Sequence, residues 1–498
     1  MTNQPLTGPQ VEARVSTEQP KGGGVDYTHV EAAYLEQRQL KKGAAGWVLL
    51  AGLGVSYVIS GDFSGWNSGL AQGGFGGLLI ATILVAVMYT CMVFGLAEMA
   101  SAMPVAGAGY GFARRALGPL GGFATGTAIL IEYTIAPAAI SVFIGGYVQA
   151  LGLFGLTNGW PVYLVCYAIF VGVHLYGVGE ALRLMFVITA IAVVGLVIFV
   201  VAMIPMIDLS RLTDIPPTDA VGASPFLPFG YAGILAAFVY GIWFFLAIEG
   251  VPLAAEEARD PRKDMPKGIV AAMLVLLVFA ALILIAAPGG AGSNALKSSD
   301  NPLPAALRAV YGSNAVIADI VNYIGLAGLV ASFFSIIYGY SRQLFALSRA
   351  GYLPRKLSVT GKRKTPILAL LVPGAIGFIL AAITQNGAKL INIAVFGAAV
   401  SYVLMMVSHI VLRIREPNLP RPYRTPGGVV TTSIALVLAA AAVVATFLVD
   451  ILAAGVMAGI FLLALAYFWF YSRHHLVAQA PEEEFEAVRR ATAELEDP

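Results

Sequence analysis

Apolar runs of about 20 residues, the length at which a helix crosses the hydrocarbon core of a bilayer, recur twelve times along this 498-residue chain. They fall at residues 45–70, 76–99, 119–150, 160–178, 183–207, 229–251, 267–288, 316–346, 365–384, 389–412, 429–449 and 452–472. In lipid a backbone must satisfy its own hydrogen bonds, so each run is predicted to be a helix. Charged residues make up 12% of the chain, half of the roughly 25% carried by soluble proteins. The fold class is therefore all-α integral membrane, with twelve transmembrane helices. Residues 1–42 form a polar N-terminal tail, 43–475 the membrane domain and 476–498 a polar C-terminal tail. The Glu-rich stretch from Pro481 onward suits a short polar helix or disorder. No cleavable signal is visible ahead of Gly43, so the first helix is expected to direct insertion.

Orientation follows from lysine and arginine, which accumulate in cytoplasmic loops. With the N-terminus inside, the partition leaves only Arg211, Lys297, Arg308 and Lys389 outside, against 26 of the 30 basic residues inside. An even number of spans puts both termini in the cytoplasm of a cell (inner) membrane protein. The net charge of +2 and the dispersal of basic residues over the loops give no reason to expect a nucleic-acid partner. Cys91 and Cys166 lie within apolar runs and read as core residues.

Charge inside a bilayer is costly, so intramembrane acids are functional candidates. Asp62 lies where Gly52, Gly54, Gly61, Gly65 and Ser60 make a poor helix within the first span. Tight helix packing would account for the glycines but not for the carboxylate; an unwound helix beside a polar cavity accounts for both. In the sixth span Glu249, adjoining Gly250 and near Pro252, follows the aromatic run Trp243, Phe244 and Phe245. Interrupted spans at corresponding positions of two halves point to a transporter site. Five-span units opening at the first and sixth spans (about 45–207 and 229–412) would be inverted relative to each other, with 429–472 supplying two extra helices. Glu132, in the third span beside Tyr133 and Pro137, either lines the cavity or is a core carboxyl. Glu98 and His174 read as structural, and Asp450 as a residue of a solvated turn.

These motifs bear a family resemblance. Leu96 to Pro104 with Ala106 to Gly111, Ile248-Glu249-Gly250 followed by Glu256, Glu257, Asp260 and Pro261, and Ser348 to Pro354 together resemble the amino acid–polyamine–organocation (APC) superfamily across residues 45–470. Tyr57 to Asn67 and Gly126 to Ala138 look most like its ethanolamine permease branch. The resemblance implies the LeuT-type 5+5 inverted repeat, with a central site between broken helices 1 and 6 completed by helices 3 and 8. It also implies that small residues in the first break, here Ser60 and Gly61, free backbone N–H groups for a substrate carboxylate. The next residue, Asp62, would repel that carboxylate and attract an ammonium group, by about 4 kcal/mol at ~4 Å and an effective dielectric near 20. The expected substrate is therefore ethanolamine or a similar small amine cation. In this reading Asp62 partners the ammonium, the carbonyls of Ile59 and Ser60 assist, and Gly61 allows close approach. Trp243, Phe244 and Phe245 form an aromatic wall, and Tyr133 and Glu249 complete the site.

Coupling stays open at this stage. Residues 187–193 lack the lysine that replaces sodium in some amino acid members. Ser332 and Ser335 could complete a sodium site, and Glu132 or Glu249 could carry a proton. Exchange and uniport are equally compatible. An amino acid or polyamine permease is the alternative within transport, and a channel the alternative outside it. No nucleophile–base pair, metal cluster or nucleotide loop supports an enzyme, and no cofactor is expected: Gly107 to Gly111 departs from GxGxxG spacing and follows no strand.

Overall fold

The computed structural model describes residues 25–28, 45–104, 107–152, 155–177, 179–477 and 480, with the side chains of 179–183 and 256–257 left aside. Most of the two tails, including everything expected of Pro481 to Pro498, lies outside the described residues. Among the described residues, ten helices are long and apolar enough to cross a membrane. At the first and fourth predicted positions stand shorter apolar helices, Trp47–Phe63 and Trp160–Tyr176, so length alone does not establish the count of twelve.

Two glycines explain why the longest helices do not match the predicted spans. Ser68–Ala102 contains Gly74 at φ 65°, ψ −175°. Residues 68–73 therefore prolong the first span, and the second begins beyond the bend. Gly109–Ala150 bends likewise at Gly118, φ 81° and ψ −172°, which separates a short leading helix from the third span. Both φ values lie where side chains with a Cβ are strained.

A two-stranded parallel sheet pairs Tyr27–Thr28 with Leu476–Val477. Its strands flank the whole membrane region, so both ends of the described chain lie on one face and the number of crossings is even. Asp26 meets His474 at 2.6 Å, and the Arg114 guanidinium donates to the Tyr27 hydroxyl at 2.6 Å.

On the face bearing the termini, Glu98 ties the second span to the tenth and to the segment after it. Its carboxylate accepts from Arg413 Nε at 3.0 Å and the Thr425 N–H at 2.7 Å, pairs with Arg421 Nε at 2.9 Å, and lies 3.3 Å from His409 Nε2. Breaking a buried pair from one side leaves charges uncompensated. Glu98→Ala is therefore expected to cost about 3–5 kcal/mol, read as a lowered thermal midpoint in detergent. His174 is fully buried, with Nδ1 at 2.7 Å from the Phe170 carbonyl. Asp450 caps the last long helix by accepting from the Ala453 N–H at 2.9 Å. Cys91 and Cys166 are free thiols.

Candidate functional site

The first and sixth spans are both interrupted, and they touch at their interruptions. The first runs as a helix from Trp47, keeps right-handed helical angles through Ile59 (φ −56°, ψ −21°) to the turn Ser60–Phe63, and then unwinds. Ser64 is extended, at φ −159° and ψ 160°, and Gly65 follows at φ 94°. The unwound segment thus lies a few residues beyond the expected place. The carbonyls of Ile59 and Ser60, expected to assist the substrate, already accept the N–H groups of Asp62 and Ser64. The sixth span is helical over Gly230–Trp243, turns through Ala247 in the left-handed region, and resumes as a 3₁₀ helix over Ile248–Glu257. An alanine held at φ 76° stores strain of about 1–3 kcal/mol, which the surrounding core must offset.

Close approach depends on Gly61. A Cβ there would overlap the Trp243 carbonyl oxygen and lie 3.0 Å from the carbonyl carbon. The Trp243 indole N–H donates to the Ser64 carbonyl at 2.9 Å, and the Tyr147 hydroxyl to the Phe63 carbonyl at 2.8 Å. Ser64 Oγ donates to the Asp300 carbonyl at 2.7 Å, and the Asn67 amide to those of Leu296 and Ser299 at 2.7 and 2.8 Å. The loop between the seventh and eighth spans therefore covers the unwound segment. Tyr147, Ser64, Asn67 and Trp66 were not anticipated from sequence. For Ser64, Trp66 and Asn67 the signal was the density of polar and aromatic residues just after Asp62; Tyr147, on the third span, carried none.

Asp62 is 1% exposed, and neither carboxyl oxygen has a hydrogen-bond partner among the described residues. The anticipated aromatic wall divides. Trp243 packs edge-on to Phe143, Phe244 stacks on Trp66 at 5.6 Å, and Phe245 turns to Tyr89 of the second span at 5.4 Å. Trp243 and Phe244 meet the first span; Phe245 belongs to the packing behind it.

Tyr133 is also committed elsewhere. Its hydroxyl donates to Glu249 Oε1 at 2.9 Å, and the Tyr402 hydroxyl donates to Glu249 Oε2 at 3.1 Å. Glu132, beside Tyr133 on the third span, is fully buried, and neither of its carboxyl oxygens has a hydrogen-bond partner among the described residues. Tyr133 and Tyr402 thus gather around Glu249, and Asp62 stands apart from that cluster. Tyr402, in the tenth span, is a member that sequence reading missed.

Ser332 and Ser335 face the first span. Ser332 Oγ donates to the Tyr57 carbonyl at 2.6 Å and lies 2.8 Å from Ser60 Oγ; Ser335 Oγ lies 2.6 Å from Ser56 Oγ. Below them a cavity of about 30 Å³ is lined by Leu49, Ser56, Met185, Phe186 and Ser335, among others. That holds about one water molecule. Asp62, Trp243 and Glu249 are at most 4% exposed, so the region of the breaks is closed toward both faces.

Residues 48–485 match the amino acid permease family. An uncharacterized transporter of Rhizobium meliloti (strain 1021) is 30% identical over 80% of this chain and 85% of its own length. The branched-chain amino acid permease BcaP of Bacillus subtilis (strain 168) is 30% identical over 81% and 88%. The methylthioribose transporter of the same organism is 27% identical over 74% and 79%. The two broken spans, the all-α membrane architecture and these likenesses agree: the chain belongs to the amino acid permease family of multi-pass membrane transporters, within the APC superfamily and with its LeuT-like fold.

Proposed function

We propose that this permease carries a small amine-bearing solute across the cell membrane by alternating access, with the solute's ammonium group held at Asp62 and the face bearing both termini in the cytoplasm. One observation carries the reading. A carboxyl group with no partner among the described residues is buried on the last helical turn before the first span unwinds. An unpaired charge is costly in such a place, and an ammonium ligand would compensate it.

Two substrates satisfy that chemistry. An amino acid has the support of the relatives, one of which is a branched-chain amino acid permease. Ethanolamine is favoured by Asp62 itself, because a negative group without a compensating cation repels a substrate carboxylate. A third relative is a methylthioribose transporter, and competition for uptake selects among the candidates. The test is competition by ethanolamine, alanine, leucine and putrescine for uptake into vesicles holding the purified chain. Inhibition by alanine or leucine alone selects the amino acid, and inhibition by ethanolamine alone selects the amine cation. If none of the four competes, ammonium recognition fails as a class. Faster labelled uptake into preloaded vesicles separates this permease from a channel.

Sodium is not required in this proposal. Ser332 Oγ donates to the Tyr57 carbonyl and Ser335 Oγ lies 2.6 Å from Ser56 Oγ, so both hydroxyls join the first and eighth spans without a cation. Replacing sodium with potassium is expected to leave initial uptake unchanged; a steep loss would reinstate a sodium site.

A further inference from the structure

Where the first and seventh spans reach the face bearing the termini, a groove of about 520 Å³ opens on the outside of the helix bundle. One side of it is a single helical stripe on Pro261–Ala291: Lys267, Val270, Ala271 and Leu274, spaced by three and four residues. Trp47, which opens the first span and is 45% exposed, and Tyr423 complete the lining. The two helices are packed tightly beside it, since a Cβ at Gly268 would lie 2.8 Å from the Leu50 Cβ. Tyr423 is fixed by its N–H, which donates to Ser101 Oγ at 3.3 Å, and two residues on by the Thr425 bond to Glu98.

The groove changes character with depth. Lys267 stands where the apolar run of the seventh span begins, and Leu274, 60% exposed, faces the bilayer further in. The rise between them is about 10 Å at 1.5 Å per residue. Charge at the entrance is of one sign. Lys267 is exposed and has neither an ion pair nor a hydrogen-bond partner among the described residues. Asp264, one turn before it, instead accepts the Asp260 N–H at 3.2 Å, and Asp260 pairs with Lys263 at 3.5 Å. Arg262 on the same helix and Arg424, next to Tyr423, are exposed as well. A soluble anion would use only the entrance, and a hydrocarbon chain only the depth. A phospholipid carries both. Tryptophan and tyrosine favour the headgroup level, and basic pockets between spans suit anionic lipid heads.

We propose that this groove binds one anionic phospholipid, with its phosphate at the Lys267 ammonium and the Tyr423 hydroxyl and an acyl chain along Val270, Ala271 and Leu274. The site is independent of the transported solute. Only its assignment to the cytoplasmic leaflet rests on the orientation proposed above.

The test uses the full chain purified in detergent and given equal amounts of phosphatidylglycerol and phosphatidylcholine with the same acyl chains. Bound lipid is counted by native mass spectrometry. The wild type is expected to retain one phosphatidylglycerol in preference to phosphatidylcholine. Lys267→Gln is expected to lower that retention about fivefold, the contribution of one lysine at an anionic membrane surface, and Lys267→Arg to preserve it. Ala271→Trp keeps the charge but fills the depth, and should release the lipid. Lys267 is exposed and Ala271 partly so, so neither change disturbs the core. Glycerol 3-phosphate, a head without chains, should leave the lipid bound. Equal retention of the two lipids by the wild type overturns the proposal, as does undiminished retention by Lys267→Gln or Ala271→Trp. Displacement by glycerol 3-phosphate overturns it too, because the groove would then be a site for a free anion.

Discussion

Asp62→Asn is expected to abolish high-affinity substrate binding while leaving the protein at least as stable as the wild type. Asparagine keeps the shape of the side chain, so packing around the helical turn Ser60–Phe63 is preserved. What disappears is the negative charge. At ~4 Å and an effective dielectric near 20, attraction to an ammonium group is worth about 4 kcal/mol, roughly a thousandfold in affinity. In the absence of substrate the same charge is a burden, because neither oxygen has a partner among the described residues and burial penalises the ion. The two consequences run in opposite directions, and that separates a binding role from a structural one. A residue that only supported the fold would lose binding and thermal midpoint together. Isothermal titration with the transported solute, beside a melting curve in detergent, reads both. An Asp62→Asn protein that binds as the wild type does would remove the basis for ammonium recognition.

Gly61→Ala is the second large effect, and it acts through the backbone. The added Cβ would meet the carbonyl group of Trp243, which is main chain in the other broken span and has no flexible end to swing away. Overpacking an ordinary core costs about 1–3 kcal/mol because side chains adjust; here the spans must separate. The same shift would disturb the Trp243 indole bond to the Ser64 carbonyl, 2.9 Å long. Loss of transport and a poorly folded product on gel filtration are expected. Gly172→Ala serves as the control, since nothing lies within 4 Å of a Cβ built at that helical glycine, and it should express and transport normally. Normal transport by Gly61→Ala would mean that the two breaks do not pack as described.

The contrast between these glycines shows how far sequence reading reaches. Both sit in apolar runs; the neighbours Ser60 and Asp62 mark Gly61 out in the sequence, but which backbone it touches, and that Gly172 faces open space, only the packing decides. The same limit applies to the acids. Asp62, Glu132 and Glu249 stand out from sequence because each breaks the rule against charge in lipid. Which of them share a site is a matter of helix rotation and pairing. Tyr133 and Glu249 are separated by 116 positions, and Tyr402 and Glu249 by 153. Their meeting placed Tyr133 in the acid cluster and brought in Tyr402. Phe245, adjacent to Trp243 and Phe244, turned out to face the second span; consecutive residues on a helix point about 100° apart, so a run of three aromatics cannot make one wall.

Sequence by itself determined the solvent of this protein and the placement of most of its spans. Hydropathy and bilayer thickness act on contiguous stretches, and a run of apolar residues carries that information without reference to anything distant. It also located the two interruptions to within a few residues, because glycine weakens a helix wherever it stands. Only the tertiary structure decided that the unwound stretch begins at Ser64, that the Ile59 and Ser60 carbonyls are engaged, and that Asp62 is left without a partner among the described residues while Glu249 accepts from two tyrosines. Those outcomes depend on contacts between helices remote in the chain, and hydrogen-bond partners at that distance leave no mark on local composition.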